Sequence, residues 1–141
     1  MIRAVFDTSA LVRYLIRPDA ALRELVEVRW LEDAFLMVTA PELIAELVGV
    51  LERPYIQAII ASEDAQALLD AVAARAEAIG PLPEYPPFTR DPKDDKFVAC
   101  ALAAGAGAIV TYDRDLLDLG EIAGVRAATP AQFLELLGEP S

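Results

Sequence analysis

Short apolar runs of strand character alternate with amphipathic helical stretches along the chain. This alternation predicts an α/β fold, a central parallel sheet with helices on both faces. Two further observations support it. The runs "AVFD" and "GAIVTYD" both end in an aspartate, and ligands gather beyond the carboxyl ends of parallel strands. Hydrophobic residues make up 55 % of the 141, enough for a buried core and too many for a disordered chain. Residues 1–141 read as one domain of ordinary size, with no internal repeat and no low-complexity tract.

The first strand is expected over Ile2–Phe6, where Val5 and Phe6 suit a sheet. Thr8 or Ser9 is expected to cap the helix that follows, which ends before Pro18. Asp19 caps a second helix carrying Leu22, Leu25, Val26, Arg29 and Trp30 at helical spacing. Phe35–Thr39 reads as a strand, and Thr39 and Pro41 open a helix with the stripe Leu43, Leu47, Val50 and Leu51, stopped by Pro54. Ser62, followed by two acids at the positive end of the dipole, opens an Ala- and Leu-rich helix over 62–79. "GPLPEYPPFTRDPKDD" holds five prolines and reads as a loop. A helix through "DKFVACALAA" ends at Gly105, the strand "GAIVTYD" follows, 125–127 makes one more short strand, and Thr129-Pro130 starts a last helix through Leu137.

Composition narrows the chemistry. The chain has no histidine, which removes Ser-His-Asp and Cys-His nucleophile schemes, His-ligated zinc and imidazole acid–base catalysis. The single Cys100 forms no internal bridge and suits a reducing cytosol. No apolar run approaches membrane-spanning length and the N-terminal segment has no secretory pattern, so a cytoplasmic protein is expected. A net charge of −11 argues against a general nucleic-acid binder, but not against a nucleic-acid enzyme whose negative charge is gathered at a metal site.

The carboxylates are therefore the candidates, and each has two readings. Asp7 and Asp113 are helix caps, or they are strand-end ligands on one rim that repel unless a cation lies between them. Glu46 shares a helix face with Glu42 and lies on a solvated acidic face, or at the edge of the apolar stripe around it. Asp91, Asp94 and Asp95 in "DPKDDK" stabilise a helix N-terminus, or one of them points to the strand rim. Four or five carboxylates without a histidine or thiol partner suit Mg²⁺ or Mn²⁺ and phosphoryl chemistry.

"AVFDTSALV", "ELIAELVGVL", "DPKDDKFVACALAAGAGAIVTYDRDLL" and "ATPAQFLELL", in that order over nearly the whole chain, resemble a PIN domain, most closely the VapC-like toxins of bacterial type II toxin–antitoxin pairs. The resemblance implies a three-layer α/β/α ribonuclease with a Mg²⁺ or Mn²⁺ site. It implies that Asp7, Glu46, Asp95 and Asp113 are the catalytic and metal-binding acids. Thr8 and Ser9 match the small polar residues that help position such a site, and Asp94 and Asp115 become accessory acids, with the register of the acidic run ambiguous by one residue. It further implies an RNA substrate, an antitoxin partner and a homodimer or higher homo-oligomer. Arg13, Arg17, Arg90, Lys93, Lys96 and Arg114 lie near these acids in sequence and are candidate RNA contacts, or solvated cations balancing their neighbours. Two alternatives remain: a non-catalytic interaction module, and a metal-dependent phosphohydrolase of small molecules. For the second, a dehalogenase-type nucleophile would need an aspartate where Ser9 stands, and no glycine-rich dinucleotide or phosphate loop is present.

Overall fold

The fold is known from a computed structural model that describes residues 1–139. Its sheet has six strands in the order β3-β2-β1-β4-β6-β5. They are β1 (Ile2–Phe6), β2 (Phe35–Thr39), β3 (Glu77–Ala78), β4 (Ala108–Val110), β5 (Glu121–Ile122) and β6 (Val125–Ala128). All neighbours run parallel except the β5–β6 hairpin at one edge. Among the described residues, eight α-helices flank them: α1 (Thr8–Ile16), α2 (Ala20–Glu24), α3 (Pro41–Leu51), α4 (Pro54–Gln57), α5 (Ser62–Arg75), α6 (Asp95–Ala104), α7 (Arg114–Leu117) and α8 (Pro130–Leu137). This is the expected α/β layering, with a mixed edge that the sequence did not announce.

Strand alternation divides the core. Phe6, Phe35, Met37 and Val110 face one layer and meet Leu22, Trp30 and Phe133 from the helices. Phe6 stacks on Phe35 with ring centroids 5.6 Å apart, and Phe133 meets Phe35 edge-on at 5.3 Å. Val5, Val38 and Ile109 face the other layer, against Leu43, Phe97, Val98 and Leu116. Thus the period-2 pattern of "AVF" feeds both layers of a doubly covered sheet.

Several boundaries differ from expectation. Asp7, not Thr8 or Ser9, caps α1, its side chain accepting from the Ala10 amide. The second helix continues past Glu24 as a π-helical segment, Leu25–Arg29, which keeps Leu25, Val26 and Arg29 buried. Pro54 closes α3 as expected but also opens α4, its missing amide being no loss in a first turn. Ser62 is not the cap of α5; the chain enters that helix from Ala61 without a side-chain cap. That helix stops at Arg75 rather than running to residue 79. Ala76 turns extended, and 77–79 pair with the free edge of β2, the Ile79 amide donating to the Thr39 carbonyl at 2.9 Å. Helix propensity loses there to an unpaired strand edge and to the packing of Ile79 against the second core cluster.

The chain crosses from β1 to β2 and β3 on one side, then to β4 on the other. The β1–β4 junction is therefore a topological switch point, where an open parallel sheet leaves a crevice at its carboxyl edge.

Candidate active site

Asp7 stands at that crevice. It directly follows β1, is 2 % exposed, and is held from three directions. Its Oδ1 accepts from the Ala10 amide at 2.9 Å and from Ser9 Oγ at 2.8 Å, and its Oδ2 accepts from Thr111 Oγ1 at 2.5 Å. Burial pushes its carboxyl up to about 6, opposed by those hydrogen bonds and reinforced by the charge of Asp113. Asp113 does not directly follow a strand. β4 ends at Val110, and Thr111 and Tyr112 intervene. Asp113 is instead placed by Thr111, whose fully buried hydroxyl accepts from the Asp113 amide at 2.8 Å while it donates to Asp7. One threonine thus couples the ends of the two strands.

The acidic run sorts itself within a 3₁₀ turn, Pro92–Asp94. Asp91 caps the turn, accepting from the Lys93 amide at 3.0 Å. Asp94 is 7 % exposed, and its Oδ2 is buried without a partner. Its carboxyl is pushed up to about 7 by burial, then by the charge of the neighbouring Asp113, and by Asp91 and Asp7. Asp95 is buried too, but its Oδ1 accepts from the Phe88 amide at 3.0 Å and the Thr89 amide at 2.8 Å. It ties the end of the proline loop to α6 and does not line the cleft. The geometry therefore exchanges the two residues relative to the expectation: Asp94 faces the site and Asp95 faces the loop. A 3₁₀ turn advances about 120° per residue rather than about 100°, and such a turn ahead of a helix decides which carboxylate points inward.

Glu46 on α3 reaches the same cleft. It accepts from Thr8 Oγ1 and, at 2.5 Å, from Lys96 Nζ, so its charge is already paired. The cleft, of about 960 Å³, is lined by Asp7, Thr8, Ser9, Glu46, Asp91, Asp94 and Asp113, with Lys93 and Arg13 also on its walls. Asp115 lies beside it, and one oxygen each from Asp91, Asp94 and Asp115 fall within 4.8 Å of one another. Asp115 is bound to Arg90 at 2.9 Å, and Arg90 also reaches Asp118 at 2.6 Å. Lys96 is committed to Glu46, and neither it, Arg90 nor Arg114 lines the cleft. Thr111, Arg53 and Tyr55 were missed by sequence reasoning. Only Thr111 left a signal, a hydroxyl beside a strand-end acid in "VTYD" as Thr8 is in "FDTS".

The donor set fits a hard divalent cation. It is all oxygen, it brings the buried carboxylates of Asp7 and Asp94 together with the half-buried ones of Glu46, Asp91 and Asp113, and the Asp94 oxygen has no protein partner. The Asp7 oxygens still have lone pairs beyond the hydrogen bonds they accept.

Fold and cleft together define an α/β protein with a carboxylate cluster at the switch point of its sheet. The chain belongs to the PIN domain family, whose family model matches residues 3–115. PIN domains are in general nucleases that use divalent metals. VapBC2 from Rickettsia felis, in a crystal structure bound to a DNA fragment from its promoter, matches with a TM-score of 0.60 at 15 % identity, over 91 % of this chain and 98 % of that one. PAE2754 from Pyrobaculum aerophilum matches with a TM-score of 0.51 at 17 % identity, over 96 % of this chain and 89 % of that one. At such identities the likeness is one of fold. No curated protein matches by sequence. Among the described residues, no helix is long and apolar enough to cross a membrane.

Proposed function

We propose that residues 1–141 form one PIN domain acting as a Mg²⁺- or Mn²⁺-dependent endoribonuclease, the toxin of a toxin–antitoxin pair, with Asp7, Glu46, Asp94 and Asp113 as its site acids. The observation that carries this reading is the buried, unpartnered Asp94 oxygen beside Asp7 and Asp113. A fold does not keep such a carboxylate cluster for stability, since like charges in a dry place repel and burial penalises each of them.

The residues divide the work. Thr111, Ser9 and the α1 amide of Ala10 fix the orientation of Asp7. Thr111 also fixes the backbone from which Asp113 projects. Thr8 and Lys96 hold Glu46 at the cleft wall. Burial and the neighbouring charges of Asp113 and Asp91 raise the Asp94 carboxyl, and a cation held beside it would favour its charged form. Asp7, Glu46, Asp94 and Asp113 would hold a Mg²⁺ or Mn²⁺, which would supply activation of a water and charge stabilisation for the leaving oxyanion.

The antitoxin is proposed from the resemblance to VapC-like toxins and from the fold shared with VapBC2. A homodimer is proposed on the tendency of such toxins and on the apolar surface of a short chain. Light scattering that finds only monomer at high concentration refutes the dimer.

The test is cleavage of RNA in Mn²⁺ by the parent, Asp7→Asn and Asp94→Asn. The parent cuts, EDTA stops it, and both variants are inactive while their melting transitions remain intact. A parent whose cutting ignores the chelator sinks the metal mechanism, and an Asp94→Asn that cuts like the parent removes Asp94 from the site.

A further inference from the structure

The cleft has a second character beside its acids. Arg13, Ile16 and Arg17, spaced i, i+3, i+4 along α1 and its C-cap, line it. So do Arg53, Tyr55 and Ile56 where α3 gives way to α4. The chain carries 12 Lys and Arg residues. Many of those away from this wall are spent on acids: Arg3 on Glu77, Arg29 on Glu24, Arg75 on Asp33, Arg90 on Asp115 and Asp118, Lys96 on Glu46. Among the described residues, Arg13, Arg17, Arg23, Arg53, Lys93, Arg114 and Arg126 make no ion pair, and four of these seven, Arg13, Arg17, Arg53 and Lys93, line the cleft. In a protein of net charge −11, unpaired cations lining the same cleft as its acids give it a positive face that the overall composition lacks.

Tyr55 adds an aromatic face. It is 61 % exposed, and Arg53 Nη1 donates to its hydroxyl at 3.2 Å. The next residue, Ile56, is buried at 5 % and anchors α4 beneath it. Arg13 is held in place as well. Its guanidinium lies 4.6 Å from the centre of the Tyr112 ring, whose hydroxyl donates to Asp19 at 2.7 Å. Free guanidinium groups beside an exposed ring are the elements with which proteins hold an unpaired strand: cations follow the phosphates and a base stacks on the ring. A duplex keeps its base faces inside and offers the ring nothing.

We propose that Tyr55 is a base-stacking platform and that Arg13, Arg17 and Arg53 hold the flanking phosphates, forming a strand-binding subsite next to the carboxylates. This rests on the ribonuclease reading. Tyr55 then sets which nucleotide lies near the scissile bond, and it does so without reading a base edge, so it tolerates any base and favours purines by stacking area.

The experiment uses a short single-stranded RNA carrying 2-aminopurine, whose emission falls on stacking, with Ca²⁺ replacing Mg²⁺ so that the strand is not cut. The parent binds and quenches. Tyr55→Ala binds about tenfold more weakly and loses the quench, while Tyr55→Phe keeps both. The double variant Arg13→Ala, Arg17→Ala lowers the slope of log affinity against log salt by about one to two. Tyr55 is exposed, so its variants melt like the parent. If Tyr55→Ala binds and quenches like a parent that still cleaves RNA, the subsite is wrong and the nuclease reading stands. If Tyr55→Ala instead lowers the molar mass in light scattering, the ring belongs to a contact between two copies of this chain and the proposal falls. If the parent neither binds nor cuts any RNA, the nuclease reading fails and takes the subsite with it.

Discussion

Asp94 and Asp95 are chemically identical neighbours with opposite surroundings, and substitution separates them. Asparagine at 95 keeps an oxygen that accepts from the Phe88 and Thr89 amides, so Asp95→Asn should fold and cleave nearly as the parent does. Asp95→Ala leaves both amides without that acceptor, and its denaturation midpoint should fall by the equivalent of ~1–3 kcal/mol. Loss of cleavage in a folded Asp95→Asn would return that residue to the site. The raised carboxyls give a second outcome. Asp7 and Asp94, at about 6 and about 7 in the folded state, hold protons that the unfolded chain releases near 3.8. The folded state therefore binds more protons, and the stability these two groups contribute is fully present below about pH 4 and lost as pH rises through 6 to 7. Without metal, the melting temperature should decline from about pH 5 to about pH 8; a rise over that interval would contradict burial as the cause. The cleft position of Asp7 was legible in the sequence, because a charge that ends a buried strand stands out against the apolar run before it. The register of the acidic run was not, since it depends on one 3₁₀ turn that leaves no mark in "DPKDD". Thr111 was hidden for a related reason: a hydroxyl in a strand-like run usually signals only β propensity.

At the level of elements, the strongly periodic segments formed where expected: β1, α1, β2, α3, α6 and α8 all did. Those that escaped include the two-residue strands β3 and β5, which exist because an edge was available and not because their sequences demand it, and the single-turn helices α4 and α7. The β5–β6 hairpin turns through Ala123 and Gly124, both with positive φ, 49° and 87°. That is the backbone of a primed two-residue turn, usually announced by Asn-Gly or Asp-Gly, and alanine in the first place conceals it. The strain predicts asymmetric substitutions. Gly124→Ala should cost ~1–2 kcal/mol in thermal or chemical unfolding, because it forces a side chain into the left-handed region. Ala123→Gly should cost little or nothing, since it relieves the same penalty one residue earlier. Equal losses at both positions would mean that contacts, and not backbone conformation, hold the hairpin.

Across the whole molecule, the acidic chain gathers Asp7, Asp91, Asp94 and Asp113 along one cleft, and the proposed metal site can be tested there. Mg²⁺ or Mn²⁺ at millimolar levels should raise the melting temperature at neutral pH by mass action on the folded state, and flatten the decline with pH described above. Asp7→Asn and Asp94→Asn should each blunt that gain. A melting curve indifferent to metal in the parent would count against the cleft as a cation site. The same site is tied to the proline loop. Phe88 and Thr89 within it are fastened to Asp95, one peptide unit from Asp94, so loop and candidate site share a stretch of backbone. Whatever grips or displaces the loop from outside has a handle on the aim of Asp94, and under the proposed function variation in loop sequence is a way to retune the cleft without touching the acids that line it.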